Sequence, residues 1–543
     1  MSTDAPSSRP EPAPGPSGSV LPQSDPPVIS LDADSERLHA LGYAQELRRS
    51  MGWFSNFAVS FSIISILTGG ITTYYLGMDA GGPRAITLGW IVVGALVLCV
   101  GAAMGEICSA YPTAGGLYYW SAKLARTNKA GWSWATGWFN LVGQIAVTAS
   151  IDYGLATYIG FMVGIYDSSF VSNVHWVLLF YAAVLAIHGA LNTFRVKLVT
   201  ALSSVSVWWH VAGTAVIVIA LLAVPSHHQS ASFLFKSKNL TGWSGPFAGS
   251  YVFLIGLLLA QYTLTGYDAS AHMSEETQGA AQSGPRSMMR AIYVSIVAAF
   301  ILNLAMTLAI QGGSREYASV AGEGSVAGAQ IFLDAVTGAG GKLLVLVCIG
   351  AQFFCGLASV TANSRMVYAF SRDGAVPGHR LWHRINPRTR TPTNSVWFSV
   401  CAAFALGLPS LYQHGGVSVA FFAIVSIGTV GLYISYVIPV FLRLRLGSDF
   451  EPGPWSLGRY SKPIGMISVV WVVIITVLFF SPAFYPWDTL VDFNFAGPIF
   501  VAILAAVFIW YAVSARKWFT GPKVQGTPEE MAAIERELML EGD

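Results

Sequence analysis

Apolar stretches of about twenty residues recur along this chain, the length a helix needs to cross a bilayer. They lie near 53–78, 85–109, 132–164, 174–193, 198–224, 248–274, 289–311, 341–370, 394–411, 417–443, 464–481 and 495–515. Only 11% of the 543 residues are charged and 54% are hydrophobic, against about 25% charged in soluble domains. The chain is therefore expected to be an all-α integral membrane protein of twelve transmembrane helices. The opening forty residues are polar, so no cleavable signal peptide is expected ahead of the first span. Cys99, Cys108, Cys348, Cys355 and Cys401 all fall inside spans and read as small packing residues. No metal-ligand spacing, disulfide framework or catalytic cluster is visible.

Charge orients the bundle. Of the 30 Lys and Arg, all but Arg84, Lys236, Lys238, Arg315 and Lys342 fall in the termini and the alternate loops that share one face. The positive-inside rule places that basic face, with both termini, in the cytoplasm. Residues 1–35 read as a disordered cytoplasmic tail rich in Pro, Ser and Asp. Residues 36–52, "ERLHALGYAQELRRSMG", read as a short amphipathic helix on the cytoplasmic surface, and 519–543 as a polar cytoplasmic tail.

Two spans carry weak points at mid-membrane. The first contains "SILTGGITTYY", with Gly69 and Gly70 flanked by hydroxyls; the sixth contains "LLLAQYTLTGYDASAHMSEET", with Thr263, Thr265, Gly266 and Asp268. Glycine in a helix interior costs about 1 kcal/mol relative to alanine. Irregular backbone at membrane depth survives only where protein or a water-filled cavity surrounds it. Discontinuous helices at matching places of two halves mark the binding site of secondary transporters with inverted repeats. On that reading 53–224 (spans 1–5) and 248–445 (spans 6–10) are the two repeats, and 462–518 adds spans 11 and 12. The N–H groups of Thr68, Gly69, Gly70 and Ile71, at a helix N-terminus, suit a carboxylate. Unwound carbonyls from Tyr262 to Thr265 suit an ammonium group. A zwitterion supplies both charges. Packing glycines are the plainer alternative for either break alone.

Several motifs, in order, resemble the amino acid–polyamine–organocation permease superfamily, and more narrowly its amino acid/choline transporter branch, which includes γ-aminobutyrate permeases. They are "LGYAQELRRSMGWFSNFAVSFSIISILTGG", "GEICSAYPTAGGLYYW", "TGYDASAHMSEET", and "SRMVYAFSRDGAVP" with the later "RTPTNS". The resemblance implies a broken-helix fold of five-plus-five inverted repeats and ion-coupled uptake of amino acids or related amines. It further implies that Tyr267 lies over the substrate as a gate, and that His210 in span 5 stands where relatives carry a titratable cation. It places Ser359, with Thr361 and Asn363, near a sodium site of related folds. Glu106, Glu275 and Arg372, with Glu276, Arg365 and Asp373, fall at cytoplasmic ends of spans 2, 6 and 8 as an inner-gate network.

Intramembrane acids are functional candidates by default. Asp268 either contacts the ligand or caps the helix after it. Asp152 shares a face of span 3 with Gln144, and either pairs across helices or faces the cavity. His188 and Asn192 read as interhelical contacts. A histidine at position 210 titrates near neutral pH, so the coupling ion is expected to be a proton, with sodium the alternative. Together these readings describe a plasma-membrane secondary transporter, not an enzyme, importing an amino acid or a γ-aminobutyrate-like zwitterion by alternating access. A choline- or polyamine-type importer, an amino acid exchanger and a non-transporting nutrient sensor are the alternatives. The partners expected are a small amino acid or amine and the lipid bilayer, without cofactor, metal, nucleic acid or obligate protein partner.

Overall fold

The computed structural model describes residues 31–170, 172–194, 196–312, 324–411, 419–483, 485, 496–524, 526–527, 530–531 and 534. Among them there is no β-strand. Eleven helices are long and apolar enough to cross a membrane, and Ala248–Thr263 is a shorter twelfth. The spans are Trp53–Thr72, Ala85–Ala110, Lys129–Tyr166, Val174–Phe194, Ala201–Ala223, Ala248–Thr263, Ala280–Leu308, Ala339–Arg372, Thr393–Leu411, Phe421–Asp449, Gly458–Phe480 and Ala496–Lys517, numbered 1–12 below.

The two halves repeat one plan. Spans 1 and 6 each break and resume as a short helical piece, Gly69–Thr72 and Ala269–His272. Each half also carries a short helix between its second and third spans, Gly116–Leu124 and Ala327–Ala335. An odd number of spans separates these corresponding features, which puts them on opposite faces of the bundle.

Spans 3 and 10 form the tightest seam. A Cβ built on Gly143 would lie 2.7 Å from the backbone N of Leu432, and one on Gly431 would lie 3.0 Å from Gly143 Cα. Small residues let membrane helices approach this closely and gain van der Waals contact, which drives their association where lipid is as apolar as the side chains. Span 3 runs for 38 residues, about 57 Å at 1.5 Å per residue, so it projects well beyond the hydrocarbon layer.

The segment before span 1 differs from expectation. The helix covers Leu31–Leu41 rather than 36–52, and Gly42 at φ 101° ends it, as a left-handed glycine commonly does. The chain after it does not rest on the bundle's surface: Tyr43, Ala44 and Leu47 are buried. Tyr43 packs there against the Tyr119 ring, 5.6 Å between centroids. The expected disorder of residues 1–30, and most of the tail beyond 524, lie outside the described residues. Gly42 sits against Val524, so both ends of the described chain meet on the basic face.

Candidate substrate site at the two helix breaks

Span 1 is regular from Trp53 to Ile64 and stops at Ser65, which takes φ 24°, a value few non-glycine residues adopt. Ile66, Leu67 and Thr68 form a turn, and the helix resumes at Gly69. The glycine pair thus opens the second half-helix, and the unwound residues lie one turn earlier. Ser65 O accepts from the N–H groups of Thr68 and Gly69 at 2.9 and 3.0 Å, and Thr68 O accepts from Ile71 at 3.2 Å. Three of the four N–H groups expected to face a carboxylate are therefore already bonded. Among the described residues, the N–H groups of Ile66, Leu67 and Gly70 have no partner.

Span 6 loses its helix at Leu264 and passes through Gly266 at φ 99°. A Cβ there would lie 2.2 Å from Ile63 Cγ2, so conformation and proximity both require glycine. Tyr262 O accepts from Thr265 N–H at 3.1 Å and Leu264 O from the Tyr433 hydroxyl at 3.0 Å. The carbonyls left without a donor among the described residues are those of Thr263 and Thr265. The two breaks touch. A Cβ on Gly69 would lie 2.9 Å from Thr263 Cα, whereas one on Gly70 would meet only Thr263 Cγ2, at 3.9 Å.

A cavity of about 10 Å³ lies between the breaks, lined by Ile63, Ile64, Thr68 and Gly69, by Val147 and Ile151 of span 3, by Tyr262, Thr263 and Thr265, and by Cys355 of span 8. All ten are buried, and none carries a charge. That is room for about one water molecule, so the site is closed in this conformation and must widen to admit a substrate. Gly70, Ile71, Gly266 and Tyr267 are not part of this lining. Tyr267 packs on Tyr436 and Tyr433 of span 10, with ring centroids 5.0 and 6.4 Å away, and Tyr262 supplies the cavity's aromatic wall, its hydroxyl 2.8 Å from Ser150 Oγ. Cys355, whose thiol reaches Ile63 O at 3.3 Å, reads in the sequence as a packing residue; a lone cysteine in an apolar span carries no signal of its neighbours.

His210 is joined to the first break. Its Nδ1 lies 2.8 Å from Ser206 O and its Nε2 2.7 Å from Ser65 Oγ, which in turn lies 2.5 Å from Thr68 Oγ1. A carbonyl can only accept, so Nδ1 carries a proton and, in the neutral ring, Nε2 accepts from Ser65.

Asp268 makes no bond that caps the helix after it. Its carboxylate accepts from Tyr436 OH at 2.6 Å, Gln144 Nε2 at 2.8 Å and Asn140 Nδ2 at 3.3 Å, and His272 Nε2 stands 3.3 Å away. Asp152, two turns from Gln144, turns instead to span 4, where His188 Nδ1 lies 3.2 Å away. Asn192 donates to Leu357 O at 3.3 Å. Ser359 bonds Thr148 of span 3 at 2.8 Å and Thr361 bonds Asn192 of span 4 at 2.7 Å. The span 8 hydroxyls thus go to different neighbours and do not gather at the first break.

Toward the basic face the cavity is stoppered by an apolar cluster of Met51, Val59, Ile63, Ala269, Met273, Ala358 and Ala362. Beyond it lies a second small cavity of about 20 Å³, whose lining includes Ser203, Glu276, Thr361 and Arg365. Two buried ion pairs join spans 6 and 8 there, Arg365–Glu276 at 2.7 Å and Arg372–Glu275 at 3.2 Å. The segment before span 1 covers them. The Arg372 guanidinium lies 3.9 Å from the Tyr43 ring centroid, and Gln45 Nε2 donates to Glu275 O at 2.7 Å. Tyr43 and Tyr118 donate to Asp373 at 3.1 and 2.6 Å. Burial pushes the Asp373 carboxyl above the usual carboxylate range, while Arg372 and the two hydroxyls pull the other way. Glu106 stands apart from this group. It accepts from Ser461, from Ser456 and from Leu457 N–H, and lies 3.5 Å from Arg443, so it ties span 2 to span 11.

Comparison with known proteins agrees with this architecture. The sequence profile of the amino acid permease family matches residues 51–508. The chain is 44% identical over 508 residues to the amino-acid permease BAT1 of Arabidopsis thaliana, covering 91% of this chain and 97% of that one. It is 42% identical to a BAT1 homolog of Oryza sativa subsp. japonica, covering 90% and 96%. A putative polyamine transporter of Candida albicans is 28% identical, covering 93% and 92%. Twelve spans broken at the first and sixth, a profile match over most of the chain and near-complete alignment with these relatives lead to one conclusion: the chain belongs to the amino acid permease family of the amino acid–polyamine–organocation superfamily, and is a multi-pass membrane transporter of amino acids rather than an enzyme.

Proposed function

We propose that this permease imports a neutral zwitterionic amino acid or γ-aminobutyrate with a proton, by alternating access, across the plasma membrane with both termini in the cytoplasm. The observation that carries the reading is the uncharged cavity between the breaks. Thr263 and Thr265 line it and keep free carbonyls, while the free N–H groups of Ile66, Leu67 and Gly70 lie next to Thr68 and Gly69 of its lining and must turn into it as the site opens. A carboxylate goes to the N–H groups and an ammonium group to the carbonyls. A second charge on the ligand would meet no partner in the lining, and leaving it unpaired in a low dielectric is costly. The same argument disfavours a polyamine, although one relative bears that name. Choline lacks the carboxylate, and a single lining ring, Tyr262, makes no aromatic cage.

His210 is the proposed carrier of the coupled proton. Protonation turns Nε2 from acceptor to donor, so Ser65 must redirect its hydroxyl hydrogen at the residue where span 1 unwinds. That links proton occupancy to the shape of the carboxylate end of the site. The apolar stopper and the two ion pairs between spans 6 and 8 act as the inner gate on this reading. Glu106 serves as an anchor for span 11.

The test is competition for uptake in proteoliposomes. Neutral zwitterions or γ-aminobutyrate should compete at least about tenfold better than glutamate, lysine, choline or a polyamine, since an unsatisfied buried group costs about 1–3 kcal/mol. A panel in which choline or polyamine wins and zwitterions are inert overturns the substrate.

A further inference from the structure

We propose that Asp268 and His272 form a second proton-binding site, one that latches the gate on the basic face. The inference rests on the alternating-access reading above and adds to it what holds the gate shut.

Both side chains are completely buried. His272 Nε2 lies 3.3 Å from Asp268 Oδ2, and His272 Nδ1 lies 3.1 Å from Ala114 O. Nδ1 is hydrogen-bonded to the Ala114 carbonyl, whereas Nε2 stands at ion-pair distance from Asp268 Oδ2 without hydrogen-bond alignment. A carbonyl only accepts, so Nδ1 carries the one N–H of the neutral ring and the Nε2 lone pair is left facing the Asp268 carboxylate. One more proton on the ring turns that repulsion into an ion pair. Without it, the buried lone pair and carboxylate repel, which favours release of Asp268.

Ala114 leads on to the gate. Its own N–H donates to Glu275 Oε1 at 3.0 Å, and Glu275 pairs with Arg372 at 3.2 Å. At the other end, Asp268 is held by Gln144 and Asn140 of span 3 and by Tyr436 of span 10. One proton thus ties the break of span 6 to spans 3 and 10, to the loop after span 2, and through Glu275 to span 8. Rocking span 6 away from span 3 must break the Asp268 contacts, admit water and give the proton an exit.

Other titratable or charged groups around the pair are accounted for. Tyr267, Tyr433 and Tyr436 surround Asp268. Glu275 and Glu276 follow His272 in the chain, each paired with an arginine of span 8. Toward the pair, span 1 presents only uncharged groups among the described residues, Asn56 and Ser60, which bond Ser270.

The test uses the full-length protein with its five cysteines replaced by alanine and spin labels at Gln278→Cys and Arg388→Cys, two exposed positions on the basic face. Pulsed electron–electron resonance reads the distance between them from about pH 5 to pH 8, the span in which histidine changes charge. The closed, shorter distance should dominate at the acid end. The open-to-closed ratio should rise at least about fivefold by the alkaline end, the lower bound of ordinary coupling between sites. His272→Gln should make that ratio independent of pH, and His272→Lys should keep the closed distance at the alkaline end. Asp268→Asn answers the same question where His272→Gln does not give monodisperse protein. His175→Gln, at an exposed histidine at the start of span 4, should keep the wild-type profile. A profile that survives His272→Gln or Asp268→Asn, or that disappears in His175→Gln, overturns the proposal. The distances require no substrate, so they stay readable if no zwitterion competes for uptake. A failed pH profile beside intact zwitterion selectivity sinks the latch alone.

Discussion

Three glycines at the breaks have different physical duties. Gly266 combines φ 99° with a would-be Cβ only 2.2 Å from Ile63. Alanine there adds about 1–2 kcal/mol of left-handed strain to about 1–3 kcal/mol of overpacking. Gly69 lies against backbone, 2.9 Å from Thr263 Cα, which cannot swing aside as a flexible side chain would. Gly70 has room for a methyl group. Substrate binding is thus expected to be lost in Gly69→Ala and in Gly266→Ala while Gly70→Ala stays within a few fold of wild type. Isothermal titration on the three purified variants checks the order. Equal losses at Gly69 and Gly70 would mean that the glycine pair acts as a unit and that close approach to Thr263 is not what matters.

At the scale of elements, the basic-face closure depends on ion pairs buried between spans 6 and 8. Arg365 and Glu276 are both nearly inaccessible to solvent. Removing one partner of a buried pair costs about 3–5 kcal/mol, chiefly because the other charge is left unpaired. Arg365→Gln should therefore lower the melting temperature of the detergent-solubilised protein distinctly. The double variant Arg365→Gln/Glu276→Gln should recover most of that loss, since two neutral amides can pair with each other. A double variant no more stable than the single one would show that the pair's charge is not what holds these elements together. The segment before span 1 belongs to the same closure. It reaches Arg372 and Asp373 through Tyr43 and Glu275 through Gln45, so the element expected on the membrane surface lies under the gate.

Coupling is a property of the whole molecule, because it compares two routes through one cycle. If His210 carries the transported proton, His210→Ala should lose accumulation driven by a pH gradient yet keep exchange of labelled substrate across the membrane. Exchange needs only that the loaded site alternate, whereas accumulation also needs the proton to be bound on one side and released on the other. Proteoliposomes with imposed gradients separate the two. Full gradient-driven accumulation in the alanine variant would reduce His210 to a brace for Ser65.

Much of the molecule was legible before any coordinates. Hydropathy alone located the spans, because lipid forces each one to bond its own backbone, and the Thr-Gly steps near Gly69 and Gly266 marked the two spans that break. What the chain could not disclose was which polar atoms are already taken. Whether Thr68 N–H is free depends on Ser65 turning its carbonyl back along the chain, a φ that no residue preference foretells. The destinations of Glu106, Asp152 and Ser359 depend on helices far away in sequence, since each span has several faces and only packing decides which neighbour meets each one. Cys355 enters the cavity and Tyr267 packs away from it for that same reason, whereas Asp268 and His272 are neighbours one turn apart in the chain. The identity of the elements is a local matter of burial and backbone bonding. The partners within the site are set by how twelve helices share one interior, and only the tertiary structure resolves that.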